Sequence, residues 1–223
     1  MNKIIAIDGP AASGKGTLSR NLAKALNFAH MDTGALYRAV AYEVLQNKGA
    51  PENEEDAIRG CASLEERLRS QTDSPLDNPD LRNDETGSAA SKVASLQTVR
   101  NRLLEIQRSF AATPGGDYDG AILDGRDIGT VICPNAPLKL YITAKLEIRA
   151  QRRMKELQSK GLGATYSTVL EDMRARDARD RGRETAPLKS AEDAVTIDSS
   201  DKSADEILEI ALNYARKTFA LSV

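Results

Sequence analysis

The sequence predicts an α/β fold in which a central five-stranded parallel sheet is flanked by helices. Three observations predict it. Short runs rich in Ile, Val and Leu recur along the chain with helical stretches between them, the alternation of a helix-wrapped parallel sheet. A glycine-rich turn, Gly9 to Thr17, follows the first run directly and leads into a segment with Leu18, Leu22 and Leu26 at helical spacing. Four of the runs end at Asp8-Gly9, Asp32-Thr33, Asp124-Gly125-Arg126-Asp127 and Asp198-Ser199, and in open α/β sheets the strand carboxyl ends face the ligand.

The elements follow in order. Strands are expected near residues 3–8, 28–31, 120–124, 138–143 and 194–198, and a core domain over 1–34, 113–146 and 184–223. Helical arms near 35–70 and 88–112 bracket residues 71–87, whose density of Asn, Asp, Pro and Gly reads as a loop. Together, 35–112 form an insertion suited to clamping an acceptor. Residues 147–183 are a second, helical insertion carrying Arg149, Arg152, Arg153, Arg174, Arg176, Arg179, Arg181 and Arg183. Any one of these could be a solvated, acid-paired residue, but as a group they suggest a lid. Ser203-Ala204-Asp205-Glu206 is a capping box that opens a structural C-terminal helix.

The turn Gly9-Pro10-Ala11-Ala12-Ser13-Gly14-Lys15-Gly16-Thr17 has the form G-x-x-x-x-G-K. Its glycines let the backbone curl so that successive N–H groups point at phosphate oxygens, and Lys15 adds a mobile cation for the β- and γ-phosphates. Strand before and helix after supply the required context, so a nucleoside triphosphate is the expected ligand and the fold is P-loop NTPase-like. Gly16 occupies the place where a Ser or Thr usually meets Mg²⁺, and the hydroxyl comes one residue later at Thr17. The G-K-G-T ending resembles nucleoside monophosphate kinases more than GTPases or motor ATPases. ATP with Mg²⁺ is expected, the metal held mainly by phosphates and water. No protein ligand to it is assigned.

Composition narrows the partners. The 223 residues are 40% hydrophobic and 29% charged, with a net charge of −2, so no basic field invites a nucleic acid polymer. The chain opens with one Lys and a short apolar run, which leads us to expect no signal peptide, no membrane partner and a cytoplasmic location. Cys61 and Cys133 are too few for a disulfide framework and read as reduced, small apolar residues. His30, the only histidine, reads as a packing or surface residue near a strand end.

Three further motifs accompany the loop: Asp32-Thr33-Gly34-Ala35-Leu36-Tyr37-Arg38, Asp124-Gly125-Arg126-Asp127-Ile128-Gly129-Thr130 and Arg176-Asp177-Ala178-Arg179-Asp180-Arg181-Gly182-Arg183. In this order the four resemble bacterial cytidylate kinases over nearly the whole chain. The resemblance implies transfer of the γ-phosphoryl of ATP to CMP or dCMP. It implies that Gly9 to Thr17 hold the ATP phosphates, with Lys15, Arg38 and Arg126 acting in catalysis, the two arginines on the acceptor phosphate. Thr33, Ser91, Arg100, Asp127 and Arg183 would line the cytidine pocket, and Arg176 and Asp180 would read the ribose hydroxyls. Arg152 or Arg153 would lie over ATP. Many bacterial members carry a longer, strand-rich insertion where this chain has only 71–87. The alternatives are another nucleoside monophosphate kinase, for UMP or AMP, and a small-molecule kinase on the same scaffold, which would lack the D-G-R-D and R-x-x-D-R-x-R pair. A monomer is expected.

The chemistry agrees with one unexceptional histidine. Phosphoryl transfer asks mainly for two positioned anions and neutralised charge. A monophosphate, with a second pKa near ~6, is already largely ionised at neutral pH. No general base is needed.

Overall fold

The computed structural model describes residues 3–70, 75–159, 161 and 163–220. Strands β1 (Ile4–Asp8), β2 (Phe28–Asp32), β3 (Gly120–Gly125), β4 (Leu138–Thr143) and β5 (Val195–Asp198) form one sheet in the order β2-β3-β1-β4-β5. β1 runs parallel to both β3 and β4, and β4 parallel to β5. The five strands lie within one or two residues of the predicted ones. Ile5, Ala6 and Ile7 are fully buried, as expected of a central parallel strand covered on both faces.

Eight α-helices accompany the strands among the described residues: α1 (Lys15–Leu26), α2 (Thr33–Gln46), α3 (Glu54–Ser70), α4 (Asp84–Val93), α5 (Gln97–Ala112), α6 (Leu146–Ser159), α7 (Tyr166–Gly182) and α8 (Ala204–Phe219). The chain divides into two compact units, one of residues 1–31, 108–182 and 186–223, the other of 32–107 and 183–185.

In the first unit Leu18 and Leu22 of α1, with Ile207, Ala211 and Leu212 of α8, pack on Ile5, Ile7, Ile122, Leu140 and Ile142 of the sheet. Each Leu or Ile among them contributes about 1.5–3 kcal/mol by leaving water. α6 and α7 share a smaller core of Ala150, Leu157, Val169 and Met173, against which Ala11 and Ala12 pack. The capping box of α8 is present: Glu206 N donates to Ser203 Oγ and Ser203 N donates to Glu206 Oε2. Ser203→Ala is therefore expected to cost about 1 kcal/mol. It should read as a lower urea midpoint at unchanged m-value.

In the second unit α2 packs on α3 and α4. Gly60 on α3 permits this, because a Cβ there would meet Val40 O and Val44 Cγ2 at 2.9 Å. Cys61 and Cys133 are free and buried, and burial pushes both thiols up to about 11.

The predicted loop 71–87 needs correction. Residues 71–74 lie outside the described residues, but Pro79–Arg82 form a 3₁₀ turn and 84–87 are already the start of α4. The polar residues read as loop are helix caps. Asn78 accepts from Asp80 N, and Asn83 accepts from Thr86 N at 2.7 Å, each side chain satisfying an N–H that the first turn leaves without a partner.

Candidate active site

β1 delivers the chain into the glycine-rich loop, whose backbone turns left-handed at Gly9 (φ 155°), Ala12 (φ 56°) and Gly14 (φ 90°). Gly9 is required, because a Cβ there would run into the carbonyl of Ile142 on β4. Gly14 caps α1 without any side-chain hydrogen bond. Gly14 has no side chain to cap the helix, and the helix dipole favours an anion at its N-terminus. Lys15 is the first residue of α1, and Thr17, two residues on, is exposed. The Ser13 hydroxyl is fully buried and without a hydrogen-bond partner among the described residues. A helix N-terminus, a lysine at its first position and a buried hydroxyl together suit a polyphosphate.

Behind the loop the structure reveals bracing that spacing alone did not indicate. Ser199, just after β5, donates to Ser13 O at 2.8 Å and accepts from Arg152 Nη1 at 2.9 Å. Arg152 is thus held against the base of the loop, whereas Arg153 pairs with Glu156 along α6. Arg149, one of the lid arginines, is only 2% exposed. It makes a two-pronged ion pair with Asp177 of α7 and donates to Ala144 O and Ala11 O. Arg174, Arg179 and Arg181 lie exposed on the same helix.

At the end of β3, Arg126 donates through Nε to Asp180 Oδ2 at 2.9 Å and through Nη1 to Gly125 O. Asp180 is 4% exposed, and Arg176 precedes it by four residues on α7, one helical turn away. The predicted ribose-reading carboxylate and the predicted phosphate-binding arginine are therefore direct partners. Asp127 is buried beside them, and its carbonyl accepts from Val131 and Ile132 N in the π turn Ile128–Ile132. His30 on β2 is hydrogen-bonded to Asp124 at 2.7 Å, a structural contact between strands, as expected for a packing histidine.

The other predicted residues, Thr33, Arg38, Ser91, Arg100 and Arg183, fall in the second unit. Asp32 stands at the N-cap of α2 and takes the Arg38 guanidinium at 3.3 Å. Gly34 leaves room for this pair, since a Cβ there would lie 3.0 Å from Asp32 Oδ1. Thr33 and Ser91 are buried polar residues. Arg100 is 5% exposed, with its guanidinium 5.5 Å from the centre of the Tyr37 ring and Nη1 donating to Ala94 O. Cation–π contact fixes such a plane in a defined orientation.

No group of three or more His, Cys, Asp or Glu side chains among the described residues is arranged to hold a metal.

Comparison with known proteins closes the argument. The sequence profile of the cytidylate kinase family matches residues 5–217. The chain is 53% identical over 212 residues to a cytidylate kinase of Paramagnetospirillum magneticum, covering 95% of this chain and 97% of that one. It is 48% identical to a cytidylate kinase of Rhodospirillum rubrum, covering 94% and 95%. Among solved structures, an uncharacterised protein from Eubacterium ventriosum superposes with a TM-score of 0.52 at 15% identity, covering 95% and 97% of the two chains, a likeness of fold. With the phosphate loop, the D-G-R-D strand end and the arginine helix all inside the matched region, the chain belongs to the cytidylate kinase family.

Proposed function

We infer that this protein transfers the γ-phosphoryl group of ATP to CMP or dCMP, giving ADP and CDP or dCDP. Family membership over 5–217 carries this reading, and the N-terminus of α1, which begins at Lys15, supplies its chemistry. Neither a UMP or AMP kinase nor a small-molecule kinase is favoured by any feature of the chain.

The roles of individual residues are proposals. Gly9 to Thr17 take the ATP phosphates, Lys15 neutralises charge on the migrating group, and Arg152 and Arg153 serve the ATP side. Arg126 and Arg38 serve the acceptor phosphate. Each holds a carboxylate in this structure, Asp180 and Asp32 respectively, and a phosphate competes for the same guanidinium fork. Thr33, Ser91, Arg100, Asp127 and Arg183 serve the cytidine, and Arg176 and Asp180 its ribose. Asp127 is the carboxylate proposed to accept from the cytosine amino group. Residues 147–183 are proposed to act as a lid, 35–112 as the acceptor-binding insertion and 1–34, 113–146 and 184–223 as the core.

Mg²⁺ arriving with ATP would supply charge neutralisation on the phosphates during transfer. Thr17, exposed at the loop's end, is the side chain nearest in sequence to offer it a hydroxyl. All these roles come from one chain, and a monomer is proposed. No helix among the described residues is long and apolar enough to cross a membrane, and a cytoplasmic location is proposed.

The test is a coupled assay for ADP release with CMP, dCMP, UMP, AMP or no acceptor. We expect acceptor-dependent turnover with CMP and dCMP, and only background without acceptor. Equal ADP release with and without CMP would sink the kinase reading.

A further inference from the structure

Asp8 is the last residue of β1 and immediately precedes the phosphate loop. Its register partners are Gly125, just before Arg126, on one side and Tyr141 on the other. The side chain is 4% exposed, and its two oxygens are used separately: Oδ1 accepts from Ile128 N and Oδ2 from Gly129 N, both at 2.8 Å. These two N–H groups belong to the π turn that begins directly after Arg126-Asp127. One carboxylate therefore joins the start of the ATP loop to the segment that carries two residues of the acceptor side. Hydrogen bonds from two neutral donors to a buried carboxylate are short and directional. A displacement near 1 Å at a reacting group costs on the order of 10²-fold in rate.

We propose that Asp8 is a positioning residue which holds the Arg126-Asp127 segment in register with the phosphate loop, so that acceptor and ATP are aligned for transfer. This rests on the kinase reading above. Asp8 touches neither nucleotide and acts through the backbone of Ile128 and Gly129.

Among the described residues, the charged and titratable groups around it are few. Arg126 and Asp127 face it from the end of β3 and Tyr141 from β4. Lys139 of β4 packs on Gly129 and is ion-paired with Asp193 at 2.8 Å. Cys133 follows the π turn, its thiol raised to about 11 and so uncharged at neutral pH. Burial pushes the Asp8 carboxyl up to about 6, opposed by its two backbone N–H bonds. Below that pH the carboxyl carries a proton and loses an acceptor for one N–H, so alignment weakens in acid. Stability runs the other way. A carboxyl whose pKa is raised on folding adds stability that is fully present below its unfolded value of 3.8 and lost as pH rises through about 6. An acid loss of activity arising at Asp8 is therefore not unfolding.

The experiment measures kcat and KM for CMP and for ATP between pH 5 and 7.5 in the wild type and in Asp8→Asn, which offers one acceptor and one donor in place of two acceptors. At pH 7.5 we expect kcat/KM for CMP to fall at least tenfold while KM for ATP stays within about threefold. The ratio of wild-type to variant kcat/KM for CMP, in which ionisation of the CMP phosphate cancels, should rise roughly tenfold from pH 5 to 7.5. Gly129→Ala strains the same contact from the other side, because its Cβ would lie 3.1 Å from Lys139 Cδ and 3.4 Å from Asp8 Oδ2. It should show the same CMP-selective loss, of a few-fold, and decides the matter if Asp8→Asn does not fold. A ratio flat with pH, or a KM for ATP raised as much as the KM for CMP, overturns the proposal. A wild type inactive on CMP would overturn the kinase reading instead.

Discussion

Lys15→Ala is expected to lower kcat by roughly 10²–10³-fold while the melting temperature of the ligand-free protein moves by only a few degrees. The two halves of this result have different physical sources. Removing one preorganised charge aimed at the developing transition state typically costs about 2.7–4 kcal/mol of the barrier. Lys15 begins α1 at a partly exposed position, and ion pairs in that setting contribute about 0–1 kcal/mol to stability. At about 2–4 °C per kcal/mol for a chain of this size, the thermal shift stays small. Steady-state kinetics beside a thermal scan check both. A variant retaining kcat within a few-fold of wild type would show that the loop does not hold the reacting phosphates. A melting temperature lowered by ten degrees or more would make Lys15 a structural residue.

What could be read from the sequence was local. Four of the five strands appeared as Ile-, Val- and Leu-rich runs because buried parallel strands carry apolar side chains on both faces, whereas β2, Phe28-Ala29-His30-Met31-Asp32, holds none of these three residues. The phosphate loop was visible because Gly14-Lys15 followed a strand, and Ser203 with Glu206 announced α8 because a capping box spans four residues. The start of α4 carried an equally local signal, Asn83 followed by Asp84 and Glu85, yet Asn and Asp serve turns and caps by the same side-chain-to-backbone bonds. A cap cluster beside Pro79 therefore read as loop. Long-range contacts left no such trace. Ser199 meets Ser13 across 186 residues, and Asp8 meets Gly129 across 121. The Arg126–Asp180 pair joins two residues that resemblance had marked singly, and nothing in either motif announced that they touch. Arg149 was hidden for another reason: among eight arginines in one polar segment, the single buried one looks like the rest.

That burial gives Arg149 a large expected effect on stability. Arg149→Ala should destabilise the protein by about 3–5 kcal/mol, because it leaves the Asp177 carboxylate, 7% exposed, without its counter-charge. The pair is close and two-pronged, with Nη2 at 2.6 Å from Oδ2 and Nη1 at 3.1 Å from Oδ1. The loss should read as a melting temperature lower by on the order of 10 °C. The charge itself is not what stabilises. Replacing both partners with apolar groups of similar size, Arg149→Met with Asp177→Leu, should recover most of the loss, since such exchanges are often neutral once no buried charge is stranded. Function should not recover with it. Arg149 also donates to Ala11 O at 3.3 Å, inside the phosphate loop, and neither Met nor Leu can replace that donor. The double variant is therefore expected to melt near wild type yet bind ATP several-fold more weakly, read as a raised KM for ATP at unchanged KM for CMP. If Arg149→Ala cost less than about 1 kcal/mol, the pair would be behaving as a solvated one. If the double variant recovered ATP binding together with stability, the contact with Ala11 would carry no weight in holding the loop.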